Sequence, residues 1–197
     1  ELPDAGLWEI RDEPKRHTFS LLMHWLGATT AARIGAATGD DGLAERGKRL
    51  ADQARQLMDE QCFDADQGFY ADSTTTGYPD ASLMMMVNLG YLDPTSERAR
   101  RHVESLAARL KTSGGLMHRY QHDDGLGQTH GSFTVCGFWY AEALARLGDH
   151  DAARASLTEL LQHANHVGLF SEDIHPTTGE QWGNFPQTYS HVGLINA

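Results

Sequence analysis

Three times along this chain, a helical segment that is apolar on nearly every side is followed by a short Gly/Asp turn and then by a helical segment with one apolar stripe. A helix that is apolar all round must be enclosed, whereas a singly striped helix lies at a surface with one face turned inward. The first pair is residues 18–38, rich in Leu21, Leu22, Trp25, Leu26 and Ile34, then Gly39-Asp40, then 41–62, striped by Leu43, Gly47, Leu50, Ala51, Ala54 and Met58. The second is 80–89, ending at Gly90, with Asp93 predicted as the cap and Pro94 as the first residue of a helix striped by Ala99, Val103, Leu106, Ala107 and Leu110. The third is 132–147, Gly148-Asp149, and a helix striped by Ala153, Leu157, Leu160, Leu161 and Ala164. A last enclosed helix begins near Pro186. The pattern predicts an all-α fold, an αα-hairpin toroid or solenoid, with about three hairpins plus the start of a further helix.

Gly followed by two large apolar or aromatic residues recurs as Gly6-Leu7-Trp8, Gly68-Phe69-Tyr70, Gly115-Leu116-Met117 and Gly168-Leu169-Phe170, at a period of about 50 to 60 residues that can hold two helices. After the triplet the copies diverge: Glu9 and Arg11 in the first, His118, Arg119 and Tyr120 in the third, Ser171, Glu172 and Asp173 in the fourth. A shared backbone site with variable polar tips is how a repeat scaffold builds a pocket. The loops 63–79, 112–131 and 168–185 leave the striped helices at the same end and are expected to gather on one face. No stretch alternates as a sheet strand, although a loop hairpin fits around residues 68–71.

The formal net charge of −11 argues against nucleic acid or an anionic membrane as partner, because both require clustered Lys and Arg. Cys62 and Cys136 lie in apolar or helical contexts without metal-ligand spacing and read as buried free thiols. His163 and His166 alone do not make a metal site, so neither metal nor cofactor is expected. No apolar run approaches the roughly 18 residues of a membrane span, and the cytoplasm is the expected location. Oligomeric state is open. The abrupt opening, one Pro3-Asp4 turn before a candidate loop, leads to the expectation of a fragment.

Taken alone, a loop carboxylate such as Glu9 or Glu172 reads first as a solvated surface charge; two of them in equivalent aromatic loops weigh that reading evenly against a functional pair. Asp80, before Ala81-Ser82-Leu83, reads as a helix N-cap. Trp182, Gln187, Tyr189 and His191 read as helix entry and packing.

Several separate motifs then agree in order and spacing. Leu7-Trp8-Glu9, Asp80-Ala81-Ser82-Leu83, Leu116-Met117-His118-Arg119-Tyr120, Cys136-Gly137-Phe138-Trp139, and Gly168-Leu169-Phe170-Ser171-Glu172 with Gly183-Asn184-Phe185-Pro186-Gln187-Thr188-Tyr189-Ser190-His191 resemble the glucoamylase-like glycoside hydrolases of family 15. The resemblance spans essentially the whole chain. It implies a closed barrel of six helical hairpins, the (α/α)6 type, of which residues 1–197 would be the C-terminal portion, without the first hairpins and any N-terminal β-sandwich. It implies hydrolysis of α-linked glucosides such as maltodextrins, dextrans or trehalose with inversion, with Glu9 as general acid and Glu172 as general base. Under it Trp8 matches an aromatic lining the glucose site, with a core anchor as the equal alternative. Arg119 matches an arginine that grips sugar hydroxyls, with Tyr120 beside it; a structural ion pair is its other reading. Arg11 reads as a salt bridge to Glu9 or a sugar contact. The segment on its own is expected to be inactive.

Departures from the family pattern fall on the subsites. Thr129-His130-Gly131-Ser132-Phe133 stands where bacterial members commonly read Gly-Glu-Gly-Ala-Phe, Tyr70-Ala71-Asp72-Ser73 replaces the usual Gln-x-Tyr-Gly, and Leu21 stands in place of a common Lys. Two other classes stay open at this stage. One is a non-catalytic αα-repeat binding scaffold, marked by the absence of converging carboxylates. The other is a phosphorolytic toroidal relative, marked by a basic cluster facing the base.

Overall fold

The computed structural model describes residues 2–10, 14–122 and 131–197. These form two compact units, residues 1–78 and 79–197.

The first unit is one αα-hairpin followed by a β-hairpin. Helix α1 spans Thr18–Thr38 and α2 spans Asp41–Gln61, the bounds that the apolar pattern predicts to within a residue. Gly39 closes α1 in the left-handed conformation and sends its N–H to the Gly35 carbonyl, and Asp40 caps α2 by accepting the Leu43 N–H at 2.9 Å. The two helices meet backbone to backbone. A Cβ on Gly47 would stand 2.6 Å from Ala32 N and 2.7 Å from Ala28 O, and one on Gly35 would stand 2.5 Å from Ala44 N; such separations admit only glycine. On α1, Leu21, Leu22 and Trp25 are buried, but Ile34 is half exposed, so within this unit α1 is covered mainly along one side. Strands β1 (Phe63–Asp64) and β2 (Phe69–Tyr70) pair antiparallel, which is the loop hairpin expected near Gly68. Asp64 Oδ1 accepts the Asp66 and Gln67 N–H groups at its turn.

In the second unit a 3₁₀ turn, Ala81–Met84, leads into the short α3, Met85–Asn88. Helix α4 spans Glu97–Leu110, and its start corrects the sequence reading. The cap is Ser96, whose Oγ accepts the Ala99 N–H at 3.2 Å. Asp93 is committed to a local turn, taking the Thr95 N–H and hydroxyl at 2.9 and 2.8 Å. Both residue types cap helices well, and the local turn leaves Ser96 as the one next to the first helical N–H groups. On the buried side of α4, beside the expected Ala99, Val103, Leu106 and Leu110, sits His102, fully buried, with Nε2 2.9 Å from the Leu83 carbonyl. It ties α4 to the 3₁₀ turn.

Helices α5 (Thr134–Arg146), α6 (His150–Leu161) and α7 (Thr188–Asn196) complete the unit. Its core joins Leu116, Phe138, Leu160, Phe170 and Ile174, with Phe138 and Phe170 edge to face at 5.4 Å. A Cβ on Gly137 would meet the Gly115 carbonyl at 2.8 Å and Leu160 Cδ2 at 2.6 Å, so this glycine lets α5 close on the third repeat loop. One element was not expected from the sequence: a three-stranded antiparallel sheet of β3 (Ser132–Phe133), β4 (Asp173–Ile174) and β5 (Gln181–Trp182), in the order β3-β4-β5. Strands of two residues are too short to show alternation. On α7, Tyr189, Val192 and Ile195 are exposed; Tyr189 therefore does not serve packing within this unit, contrary to its default reading.

The four repeat glycines Gly6, Gly68, Gly115 and Gly168 all hold positive φ, at 66°, 79°, 73° and 81°. The sequence repeat is therefore a backbone repeat: a left-handed turn that only glycine adopts without strain, after which each loop presents its own side chains. Among the described residues no helix is long and apolar enough to cross a membrane.

Candidate active site

In the first unit, the loop carrying Trp8 and Glu9 is built on Asp4. Backbone bonds Asp4 N to Lys15 O (2.8 Å) and Lys15 N to Asp4 O (3.1 Å) close its base, and Asp4 Oδ1 accepts the Gly6 N–H at 2.8 Å. The His17 ring lies directly under Gly6, where an added Cβ would come within 2.8 Å of it. The turn closes with Ile10 N to Ala5 O at 2.9 Å. Trp8 is half buried and Glu9 exposed. Glu9 holds φ at 56° and is the one non-glycine residue with positive φ among the described residues. That conformation costs an L-residue roughly 1–2 kcal/mol, and strain of this kind concentrates at functional positions. Arg11 lies outside the described residues, as does His130.

The second unit holds Glu172, Arg119 and Tyr120. Among the described residues both donors to the Glu172 carboxylate come from Asn184, the backbone N–H at 3.0 Å and Nδ2 at 2.7 Å, and both fall on Oε2. The backbone is fixed as well, since Glu172 N donates to Asn184 O and Thr134 N donates to Glu172 O, each at 2.9 Å. Gly183 makes this grip feasible: it sits at φ 77°, and a Cβ there would stand 2.9 Å from Glu172 Oε2. The start of α7 latches the same loop. Gln187 caps α7, Ser190 Oγ donates to Ser171 O at 2.8 Å, and His191 accepts the Phe170 N–H through Nε2 while Nδ1 bonds Gln187 O at 2.7 Å. Gln187 and His191 thus do serve helix entry. A carboxylate gripped through one oxygen keeps its other oxygen for a water, the requirement for a general base.

Arg119 and Tyr120 follow the Gly115 turn. The Arg119 carbonyl accepts the Ala81 N–H at 2.9 Å, and Tyr120 pairs by backbone with Asp80, whose Oδ1 caps the 3₁₀ turn at Ser82 N (2.8 Å) as expected. The Arg119 guanidinium lies 5.3 Å from the Phe133 ring centroid, and the buried Tyr120 ring stacks on His122 at 4.5 Å. Burial raises the Asp173 carboxyl pKa, Arg119 opposes that, and Glu172 adds to it. Burial pushes the Cys136 thiol well up, with Asp80 adding and Arg119 opposing, which makes it an inert core group. Among the described residues no group of three or more His, Cys, Asp or Glu is placed to hold a metal ion. Asn184 and Asp173 are the residues that sequence reasoning left without a role. Asn184 lies in the motif that runs from Gly183 to His191, but its grip on Glu172 spans twelve residues and has no local periodicity to announce it.

Comparison with known proteins gives a consistent result. The family described as Glycosyl hydrolases family 15 matches residues 1–197. A trehalase of Mycobacterium tuberculosis is 35% identical over 99% of this chain and 29% of its own length, and a trehalase of Thermoplasma acidophilum is 34% identical over 98% of this chain and 33% of its own. The chain therefore spans about a third of the length of these curated relatives. Among solved structures, a wild-type glycosidase superposes with a TM-score of 0.82 at 22% identity, covering 98% of this chain and 54% of that one. A bacterial glucoamylase complexed with acarbose gives 0.77 at 16% identity, over 94% of this chain and 33% of that one. Both share the helical-hairpin fold.

Proposed function

This chain belongs to glycosyl hydrolase family 15, and on that premise we propose that it carries both carboxylates of an inverting α-glucosidase, Glu9 as general acid and Glu172 as general base. The observation that carries the reading is the contrast in how two equivalent repeat loops end. One holds a Glu in a strained left-handed backbone after Trp8; the other holds a Glu through a single oxygen, leaving the second available. Hydrolysis with inversion needs one carboxyl to protonate the leaving oxygen and one carboxylate to deprotonate a water on the opposite face, and inverting glycosidases in general hold such a pair about 6.5–9.5 Å apart. Trp8 offers a ring against which a sugar's C–H face can stack, and Arg119, Tyr120 and Arg11 are the candidate sugar-binding polar groups.

The substrate class proposed is an α-glucoside, with trehalose first, because the relatives at 33% identity and above are named trehalases. In this reading residues 1–197 are the C-terminal part of an (α/α)6 catalytic domain, and the remaining hairpins belong to a longer protein, consistent with the one-third coverage of the relatives. The test is glucose release from trehalose and maltose by the full-length protein. Glu9→Gln and Glu172→Gln should each lower turnover by about 10³-fold with little change in ground-state affinity, and wild type should release α- and β-glucose from trehalose in equal amounts, the β anomer coming from inversion at the attacked carbon. Retained turnover in either variant, or release of α-glucose alone from trehalose, refutes the assignment.

A further inference from the structure

The loop that carries Glu9 rests on an imidazole that the acid/base reading leaves unused, that of His17. A Cβ added to Gly6 would stand 2.8 Å from His17 Cγ and Cδ2 and 3.0 Å from Nδ1. A point nearly equidistant from Cγ and both of its ring neighbours lies over the ring's face, so the Gly6 backbone sits on that face. Gly6 is in turn bonded to the glutamate: its carbonyl accepts the Glu9 N–H at 3.3 Å, while Asp4 Oδ1 takes its own N–H at 2.8 Å. His17 is anchored on the other side. It stands at the N-cap of α1, its carbonyl accepts the Leu21 N–H at 3.1 Å, and its backbone bridges to Ser73. The residue is only 7% exposed, its side chain makes no capping bond to α1, and Nε2 is sealed from solvent with no hydrogen-bond partner among the described residues. A buried polar atom without a partner costs stability, so packing of an apolar core does not account for an imidazole here.

We propose that His17 is a positioning residue for the candidate acid: its ring face sets the height and tilt of the left-handed Gly6 turn and, through the Gly6 carbonyl, the backbone of Glu9. Glu9 holds φ at 56°, and a strained backbone of that kind persists only where its surroundings over-determine it. The ring supplies that constraint from a rigid helix start. A general acid works only when its carboxyl lies within hydrogen-bond reach of the leaving oxygen, and a misplacement of about 1 Å can cost about 100-fold in rate. The ring acts by the shape of its face, since Nε2 bonds nothing among the described residues. This inference rests on the reading of Glu9 as general acid.

The test compares two substrates on the full-length protein. Trehalose leaves through an oxygen that needs a proton; with α-D-glucosyl fluoride the C1–F bond breaks with its electron pair on fluoride, which needs none, while water adds to C1 and gives its proton to Glu172. His17→Ala should lower trehalose turnover about 10- to 100-fold with KM within roughly twofold, and leave turnover of the fluoride within about threefold of wild type. His17→Phe, which keeps an aromatic face under Gly6, should restore trehalose turnover to within about fivefold of wild type. Gly6→Ala presses a methyl onto the same ring from the loop side, and it should show the same split between substrates, including where His17→Ala fails to fold. Equal losses on both substrates, wild-type trehalose turnover in His17→Ala or Gly6→Ala, or a His17→Phe as impaired as His17→Ala each overturn the proposal. Glu9→Gln separates the two levels. If it loses trehalose but keeps the fluoride while His17→Ala shows no split, the positioning role alone is refuted; if Glu9→Gln loses both substrates alike, the acid reading falls and this proposal with it.

Discussion

The two units solve the same problem, packing an apolar helix against a striped one, by opposite means. In the first, α1 and α2 approach through Gly35, Gly47, Ala28, Ala32 and Ala44, so backbone touches backbone and few side chains fill the seam. In the second, α5 and its neighbours close over Phe138, Phe170, Leu116, Leu160 and Ile174, a core of interlocked large side chains. The candidate loops differ in a parallel way. The Glu9 loop has its form set by backbone conformation, with φ at 56° on the glutamate itself. The Glu172 loop has its form set by long-range bonds from Asn184, Thr134 and Ser190. A glycine seam fails when anything is added to it, and a large-side-chain core fails when anything is taken away.

The strongest way to break this contrast is Phe138→Ala. Removing a fully buried ring should destabilise the second unit by about 3–5 kcal/mol. Chemical denaturation followed by circular dichroism would show it, and a loss below about 1 kcal/mol would mean the core is not organised around this ring.

Next in size is an acid sensitivity that His102 brings to the second unit. Burial lowers the His102 pKa from 6.5 to about 4, with the Leu83 carbonyl partly opposing this and Arg98 adding to the depression. The unfolded chain therefore binds a proton at this residue below pH 6.5, and the folded one does so only near pH 4. Stability is full above pH 6.5, is lost as pH falls from 6.5 to about 4, and levels off below that. The loss amounts to about 3 kcal/mol. In His102→Gln, which can still donate to the Leu83 carbonyl, denaturation measured across this window should lose that dependence; an unchanged slope would assign the acid sensitivity to other groups.

The smallest effect expected is Gly47→Ala. Its methyl would meet Ala32 N and Ala28 O at 2.6 and 2.7 Å, forcing α1 and α2 apart at a cost of about 1–3 kcal/mol, even though alanine is the better helix former by about 1 kcal/mol. Stabilisation instead would show that the seam is looser than drawn, and Gly42→Ala, with only the Asp40 side chain nearby at 3.5 Å, is the matched control.

What was legible in the sequence is what short-range chemistry determines. The bounds of α1 and α2, the Gly39 and Asp40 signals, the Asp149 cap of α6 and the hairpin beside Gly68 follow from periodicity and from side chains bonding backbone a few residues away. The loop and helix-entry motifs carry the family resemblance, and the period of the Gly-apolar-aromatic triplets marks four turns that share one backbone form. The same locality explains the error at Asp93: two cap residues stood close together, and only their hydrogen bonds distinguished the turn from the helix start. Tertiary structure alone decided the sheet β3-β4-β5, the burial of His102, the exposure of Tyr189, the Asn184 grip on Glu172 and the place of Asp173 opposite Phe133. Each depends on partners separated in sequence by a loop or a helix, and no local pattern in the chain encodes where such partners meet.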